Sequence, residues 1–109
     1  MNTDREIERC LDALETLAET IGGRALDAAN AESAYKLASA QSRLTHRSDL
    51  TKRTVGEIDD LAMIECEELY QAHLIANALL TASRDSLRAT QARLDGLRTL
   101  SAGIRAAGG

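Results

Sequence analysis

The chain contains 109 residues, with 13 basic and 17 acidic side chains, two cysteines and no proline, tryptophan or phenylalanine. A chain of this length fits one small domain, so we predict a single helical domain over residues 1–109. The net charge of −4 argues against a protein whose whole surface binds nucleic acid. Abundant alanine and leucine without proline predict an all-α protein.

The first half of the chain predicts two helical segments. Thr3 and Glu6 have the spacing of a capping box, so a helix is expected to start near Thr3. We predict helices over residues 3–21 and 24–44, broken or kinked at Gly22-Gly23, because adjacent glycines favour helix ends. Apolar residues at steps of three and four, or their multiples, predict the packed face: Ile7, Leu11 and Leu14, then Leu37.

The second half predicts a loop and one long helix. Residues 45–54, THRSDLTKRT, lack apolar periodicity and favour turns and caps, so they predict the hairpin loop. Thr54 and Glu57 form a second capping box, which predicts a helix over 55–105 and a frayed tail over 106–109. The apolar face of this helix includes Leu61, Leu79, Leu87 and Leu94. Its position shifts near Leu79-Leu80, which indicates a stutter.

The distribution of charge predicts how these helices pair. Residues 54–70 contain six acids and no base, whereas residues 31–53 and 71–109 are mainly basic. Folding the chain back at the loop places opposite charges side by side, which favours an elongated antiparallel helical hairpin of two long helices. In that register the acidic first helix faces Arg93 and Arg98, while Lys36 and Arg43 face residues 57–68. The apolar surface exceeds what one hairpin covers, so we expect a homo-oligomeric, coiled-coil-like bundle.

Two stretches contain residue types that occur in chemical sites. DDLAMIECEELYQAH, residues 59–73, combines five acids with Cys66 and His73, but Tyr70 occupies the place that a Glu-x-x-His metal motif requires. Ser, His and Asp also occur together in THRSDL, yet neighbours in a short loop lack the geometry of a nucleophilic triad. We therefore expect free cysteines, no catalytic or metal-binding residue, no cofactor and no enzyme activity.

Basic side chains remain as candidates for a binding site. The loop region carries His46, Arg47, Lys52 and Arg53, and the C-terminal region carries Arg98 and Arg105, which are seven apart and share a helix face. Such groups can contact an acidic partner or a phosphate backbone. We expect a protein partner, with direct nucleic-acid contact as the alternative.

Residues 31–106 resemble a family of small all-helical bacteriophage and prophage proteins. The resemblance rests on AESAYKLASAQSRL around Tyr35-Lys36 and on the spacing of leucine and arginine from Leu87 to Arg98. These proteins often accompany replication or recombination genes, which implies a non-catalytic assembly or adaptor protein that serves such a process. A secreted helical hairpin with a Trp-x-Gly turn is a weaker resemblance, since this chain has no tryptophan.

The sequence also gives an expectation about location. No run approaches the roughly 20 apolar residues of a membrane span, and the N-terminus lacks a signal-peptide pattern. We expect no membrane contact and a cytoplasmic location in a bacterial host cell.

Overall fold

The computed structural model describes residues 2–48 and 52–108, and every regular element in those ranges is an α-helix. Helix α1 spans Thr3–Arg47, α2 spans Val55–Glu65 and α3 spans Glu67–Gly108. The prediction of an all-α helical hairpin is confirmed. Asp49, Leu50 and Thr51, the middle of the predicted loop, lie outside the described residues.

The helices form two compact units. Unit 1 contains the chain up to Gly23 together with the part from Leu80 onwards, and unit 2 contains Arg24–Leu79. Each unit pairs a segment of α1 with an antiparallel segment of the second half of the chain. In unit 2, for example, the partners of Arg24, Tyr35 and Arg43 have falling numbers: Leu79, Tyr70 and Asp59.

The predicted break at Gly22-Gly23 is absent, because helix α1 is continuous there. The helix is assigned without interruption from Thr3 to Arg47, and no glycine among the described residues has a positive φ. Glycine permits a helix end but does not impose one, and helix-forming residues flank this pair on both sides. The helix also extends three residues beyond the predicted end at residue 44.

The helix starts test the two predicted capping boxes. At α2, the Thr54 side chain accepts a hydrogen bond from the Glu57 backbone N–H at 3.1 Å, as predicted. At α1, the cap is Asn2 instead of Thr3, because the Asn2 side-chain oxygen accepts from the Arg5 N–H at 3.2 Å. The predicted frayed tail is also partly wrong, since α3 continues through Ala106 and Ala107 to Gly108.

The predicted long helix over 55–105 is interrupted at Cys66, which separates α2 from α3. Cys66 has φ −103° and ψ 17°, outside the α-helical region, although its N–H still donates to the Ala62 carbonyl at 3.0 Å. The buried residues 58 and 62 precede Cys66 at steps of four, and half-buried Tyr70 follows it at the same step. Repeated steps of four shift a helical seam, so the stutter predicted near Leu79-Leu80 lies here instead.

The seam, meaning the buried and half-buried face between paired helices, differs between the units. In unit 1 it contains Cys10, Leu94 and Leu97, packed against Ile7 and Leu14. In unit 2 its buried members are mostly small or polar: Ala28, Ser39, Ser42, Ala62 and Cys66, with Ile58 as the one buried large aliphatic residue among those described. Of the predicted seam, Leu61 and Leu87 are half-buried, whereas Leu11, Leu37 and Leu79 are exposed and lie outside the hairpin core.

Candidate interaction surfaces

Four polar side chains beside the loop connect α1 to the segment that contains α2. We call them the His46 cluster: Ser42, His46, Arg53 and Glu65. Ser42 donates its hydroxyl hydrogen to Glu65 Oε2 at 2.5 Å, and His46 Nε2 lies 2.8 Å from Glu65 Oε1. On the other side of the ring, Arg53 lies 2.6 Å from His46 Nδ1. The cluster therefore joins the end of α1 to the end of α2 through both oxygens of one carboxylate.

The partners of His46 determine which ring nitrogen donates in this arrangement. An arginine guanidinium can only donate, so Nδ1 must accept the hydrogen bond from Arg53, and the proton of a neutral ring sits on Nε2. That Nε2–H donates to Glu65. The Ser42 hydroxyl and the His46 bond lower the pKa of the Glu65 carboxyl, because both stabilise its charged form.

The His46 cluster has the wrong order for nucleophilic catalysis. A serine nucleophile needs a base that takes its proton, and the base needs an acid that orients it. Here Glu65 lies between Ser42 and His46, so the hydroxyl hydrogen is bonded to a carboxylate and not to the imidazole. The contacts instead satisfy buried polar groups at the hairpin end.

The predicted basic loop site is only partly exposed. His46 and Arg53 are half-buried members of the His46 cluster, whereas Arg47 and Lys52 are exposed. In unit 1, Arg98 is exposed, and Arg105 donates to the Ser101 hydroxyl of its own helix at 3.1 Å. The structure thus leaves two of the four predicted loop bases facing solvent.

Among the described residues, ion pairs link the paired helices in both units, as the charge pattern predicts. In unit 1, Arg93 contacts Glu6 at 2.9 Å, as the predicted register requires. In unit 2, Arg43 contacts Asp59 at 3.3 Å. Lys36 instead forms its ion pair within α1, with Glu32 at 2.8 Å.

An aromatic cluster that the sequence analysis did not predict lies farther along unit 2. The ring of Tyr35 is 5.2 Å from that of Tyr70, and it stacks on His73 with 5.9 Å between centroids and 4° between planes. Aromatic pairs at such distances stabilise by about 0.5–1.5 kcal/mol beyond the area they bury. Tyr35 and Tyr70 are the two tyrosines of the chain. Once the two helices are paired in antiparallel register, these residues lie opposite each other, so both could have been expected in the seam.

Unit 2 carries most of the exposed large aliphatic side chains among the described residues. Among the described residues, thirteen large hydrophobic side chains are exposed, and ten of them belong to unit 2. These ten are Leu26, Leu37, Leu44, Val55, Met63, Ile64, Leu69, Leu74, Ile75 and Leu79. Three of them lie on α1 at steps of seven or eleven residues, so they share one face of that helix.

Within residues 2–48 and 52–108, no group of three or more His, Cys, Asp or Glu side chains is arranged to hold a metal ion. In the same ranges, no helix combines the length and the apolar character that crossing a membrane requires. Cys10 and Cys66 are both buried and free, as predicted.

Comparison of the chain with protein-family models, with curated proteins and with solved structures finds no match.

Proposed function

We propose that this chain is a helical assembly or adaptor protein that acts by binding other protein chains, its own copies included, and not by catalysis. The observation that carries the proposal is the exposed aliphatic surface of unit 2. Its seam is filled mainly by alanine, serine, cysteine and tyrosine, while ten large aliphatic side chains face outward. Exposed apolar surface of this extent is typical of protein–protein interfaces.

Light scattering and sedimentation of the full chain at micromolar concentration test self-association. We expect a dimer or a higher oligomer. The variant Leu37→Ser with Leu74→Ser removes two exposed leucines from unit 2 and should weaken association. Its matched control is Leu11→Ser with Leu100→Ser in unit 1, where the two leucines are 44% and 46% exposed. A control that weakens association as much would argue against unit 2 as the interface.

The biological process is part of the proposal and rests on the resemblance of residues 31–106 to phage proteins. We propose that the partner is a protein of DNA replication or recombination. Affinity capture from an infected or lysogenic bacterial host, with and without nuclease, tests this. A replication or recombination protein retained after nuclease treatment supports the adaptor.

Direct nucleic-acid binding is the alternative outcome of that capture. It would rest on Arg47 and Lys52, the two loop bases that face solvent. Substitution of both by serine should then abolish retention of nucleic acid, and the binding should fall steeply with salt. Retention of nucleic acid alone would replace the adaptor proposal with this function.

A further inference from the structure

One side of unit 2, which we call the lateral face, is formed by residues that directly follow seam positions. On α1, Lys36 follows Tyr35 and Arg43 follows Ser42; on the opposite segment, Asp59 follows Ile58 and Glu67 follows Cys66. In two antiparallel helices, positions that follow the seam by one residue project to the same side of the pair. The ion pair between Arg43 and Asp59 confirms this placement.

The lateral face contains two open grooves, one on each helical segment of unit 2. The first lies on α1 and is lined by Ala29, Glu32, Ser33, Lys36 and Leu37. The second lies across α2 and α3 and is lined by Met63, Ile64, Glu67, Tyr70, Gln71 and Leu74. Each groove combines exposed aliphatic side chains with charged ones: Lys36 and Glu32, which pair with each other at 2.8 Å, in the first groove, and Glu67 in the second.

The two segments carry opposite charge. The α1 side of unit 2 is net basic, since residues 24–48 contain Arg24, Lys36, Arg43 and Arg47 against Asp27 and Glu32. Residues 54–70 contain six acids and no base. A surface with a basic half and an acidic half, each with its own apolar groove, is complementary to itself when it is rotated by a two-fold axis.

We infer that the lateral face binds a second copy of this chain. The two-fold axis runs along the hairpin, so the basic segment of α1 in each copy lies against the acidic segment of α2 and α3 in the other. Tyr35 contacts Tyr70 across the hairpin, which sets Lys36 about 3 Å from the level of Glu67 along the helix axis; in the dimer Lys36 is therefore within reach of Glu67 of the second copy. The opposite arrangement, with α1 against α1, would bring the bases together and is disfavoured by like-charge repulsion.

This inference rests on the proposed function, and charge reversal tests it separately. Lys36→Glu and Glu67→Lys should each raise the dimer dissociation constant by about tenfold, since each places like charges face to face at two symmetric positions. The double variant carries both changes in one chain and restores opposite charges across the interface. It should return the dissociation constant to within about threefold of the original.

Glu68→Lys is the matched control, because it makes the same change of charge one residue along the same helix, off the lateral face. Circular dichroism and thermal melting of every variant show whether the hairpin itself is intact. Rescue by the double variant together with an unaffected control supports the lateral face. A chain that associates with unchanged affinity in both single variants overturns this inference and leaves the proposed function standing. A chain that stays monomeric at micromolar concentration also overturns it, and partner capture then decides the proposed function alone.

Discussion

The two units are built from the same kind of helix pair but place their large aliphatic side chains on opposite faces. Unit 1 buries Leu80, Leu94 and Leu97, and three of its large hydrophobic side chains are exposed among the residues described. Unit 2 buries alanine, serine and cysteine with Ile58, and it exposes ten. The contrast indicates that unit 1 stabilises itself through its large aliphatic seam, whereas unit 2 leaves much of its apolar surface exposed.

The two seams also differ in how they use polar groups. In unit 1 the cross-helix ion pair of Arg93 and Glu6 leaves the arginine side chain 64% exposed, so it selects register more than it adds stability. In unit 2 the seam holds Ser42, His46 and Tyr35, each bonded to or stacked on a side chain from the opposite segment. Directional contacts of this kind define one alignment of two helices even where the buried side chains are small.

The largest effect should come from the aliphatic seam of unit 1. Leu94→Ala removes a side chain that is 5% exposed and should lower the free energy of unfolding by about 2–5 kcal/mol, through lost burial and the cavity left behind. Urea denaturation measures the change. The control Leu100→Ala removes the same atoms from a residue that is 46% exposed on the same helix and should change the free energy by less than about 0.5 kcal/mol. Equal effects would contradict the assignment of this seam as a core.

The seam of unit 2 should instead be sensitive to added volume. Ala62 is 1% exposed, so Ala62→Leu should destabilise the fold by about 1–3 kcal/mol through overpacking. Ala72 is exposed on α3, and Ala72→Leu serves as the matched control with an expected change below about 0.5 kcal/mol. Thermal melting of the two variants separates the outcomes. If Ala62→Leu stabilised the protein, the inference that the helices of unit 2 pack closely around Ala62 would be wrong.

The glycine pair at the boundary between the units gives a smaller effect of opposite sign. A Cβ atom added at Gly22 or Gly23 meets no other atom within 4 Å, and α1 is helical at both positions. Each Gly→Ala substitution should therefore raise the free energy of unfolding by about 0.5–1 kcal/mol. A loss of stability, measured by denaturation, would show that the chain needs the conformational freedom of glycine there.

Several features of the fold could be predicted from the sequence because they depend on local patterns. The helical content follows from composition, the position of the hairpin end from the polar run after residue 44, and the start of α2 from the Thr54 cap. The register followed from charge, which correctly placed Arg93 beside the acidic first helix, where it contacts Glu6. Each of these signals lies within a few residues or in a simple count along the chain.

The features that sequence reasoning missed depend on which of two faces of the same helix is buried in the seam. The segment from Arg24 to Arg47 has one face marked by Leu26, Leu37 and Leu44, and another marked by alanine, serine and Tyr35. Hydrophobicity favours the first, but the structure buries the second, where small side chains allow close approach and polar side chains find partners. The interruption at Cys66 was missed for a similar reason, since no proline or glycine marks it.

The contribution of the His46 cluster should depend on pH and should be the smallest of these effects, since the Glu65 side chain is half exposed. The pKa of Glu65 is lowered from 4.5, so folding favours its charged form. Its stabilising contribution is therefore complete at pH values above 4.5 and is lost as the pH falls through the lower pKa of the folded state. Denaturation of the original chain and of Glu65→Gln at a series of pH values measures this, and the gap between them should close in acid.

Glu68→Gln removes the same charge from the exposed surface three residues later and is the control for a general effect of net charge. It should not reproduce the pH-dependent gap, because the Ser42 and His46 hydrogen bonds end on Glu65. Ser42→Ala removes the largest cause of the lowered pKa and should reduce the gap without abolishing it, since the bond to His46 remains. A gap that is constant down to the acid end of the series would mean that folding does not favour the charged carboxylate. The polar end of unit 2 would then stabilise the hairpin no more than an exposed ion pair does, and the directional contacts of that seam would reduce to those of the Tyr35 ring with Tyr70 and His73.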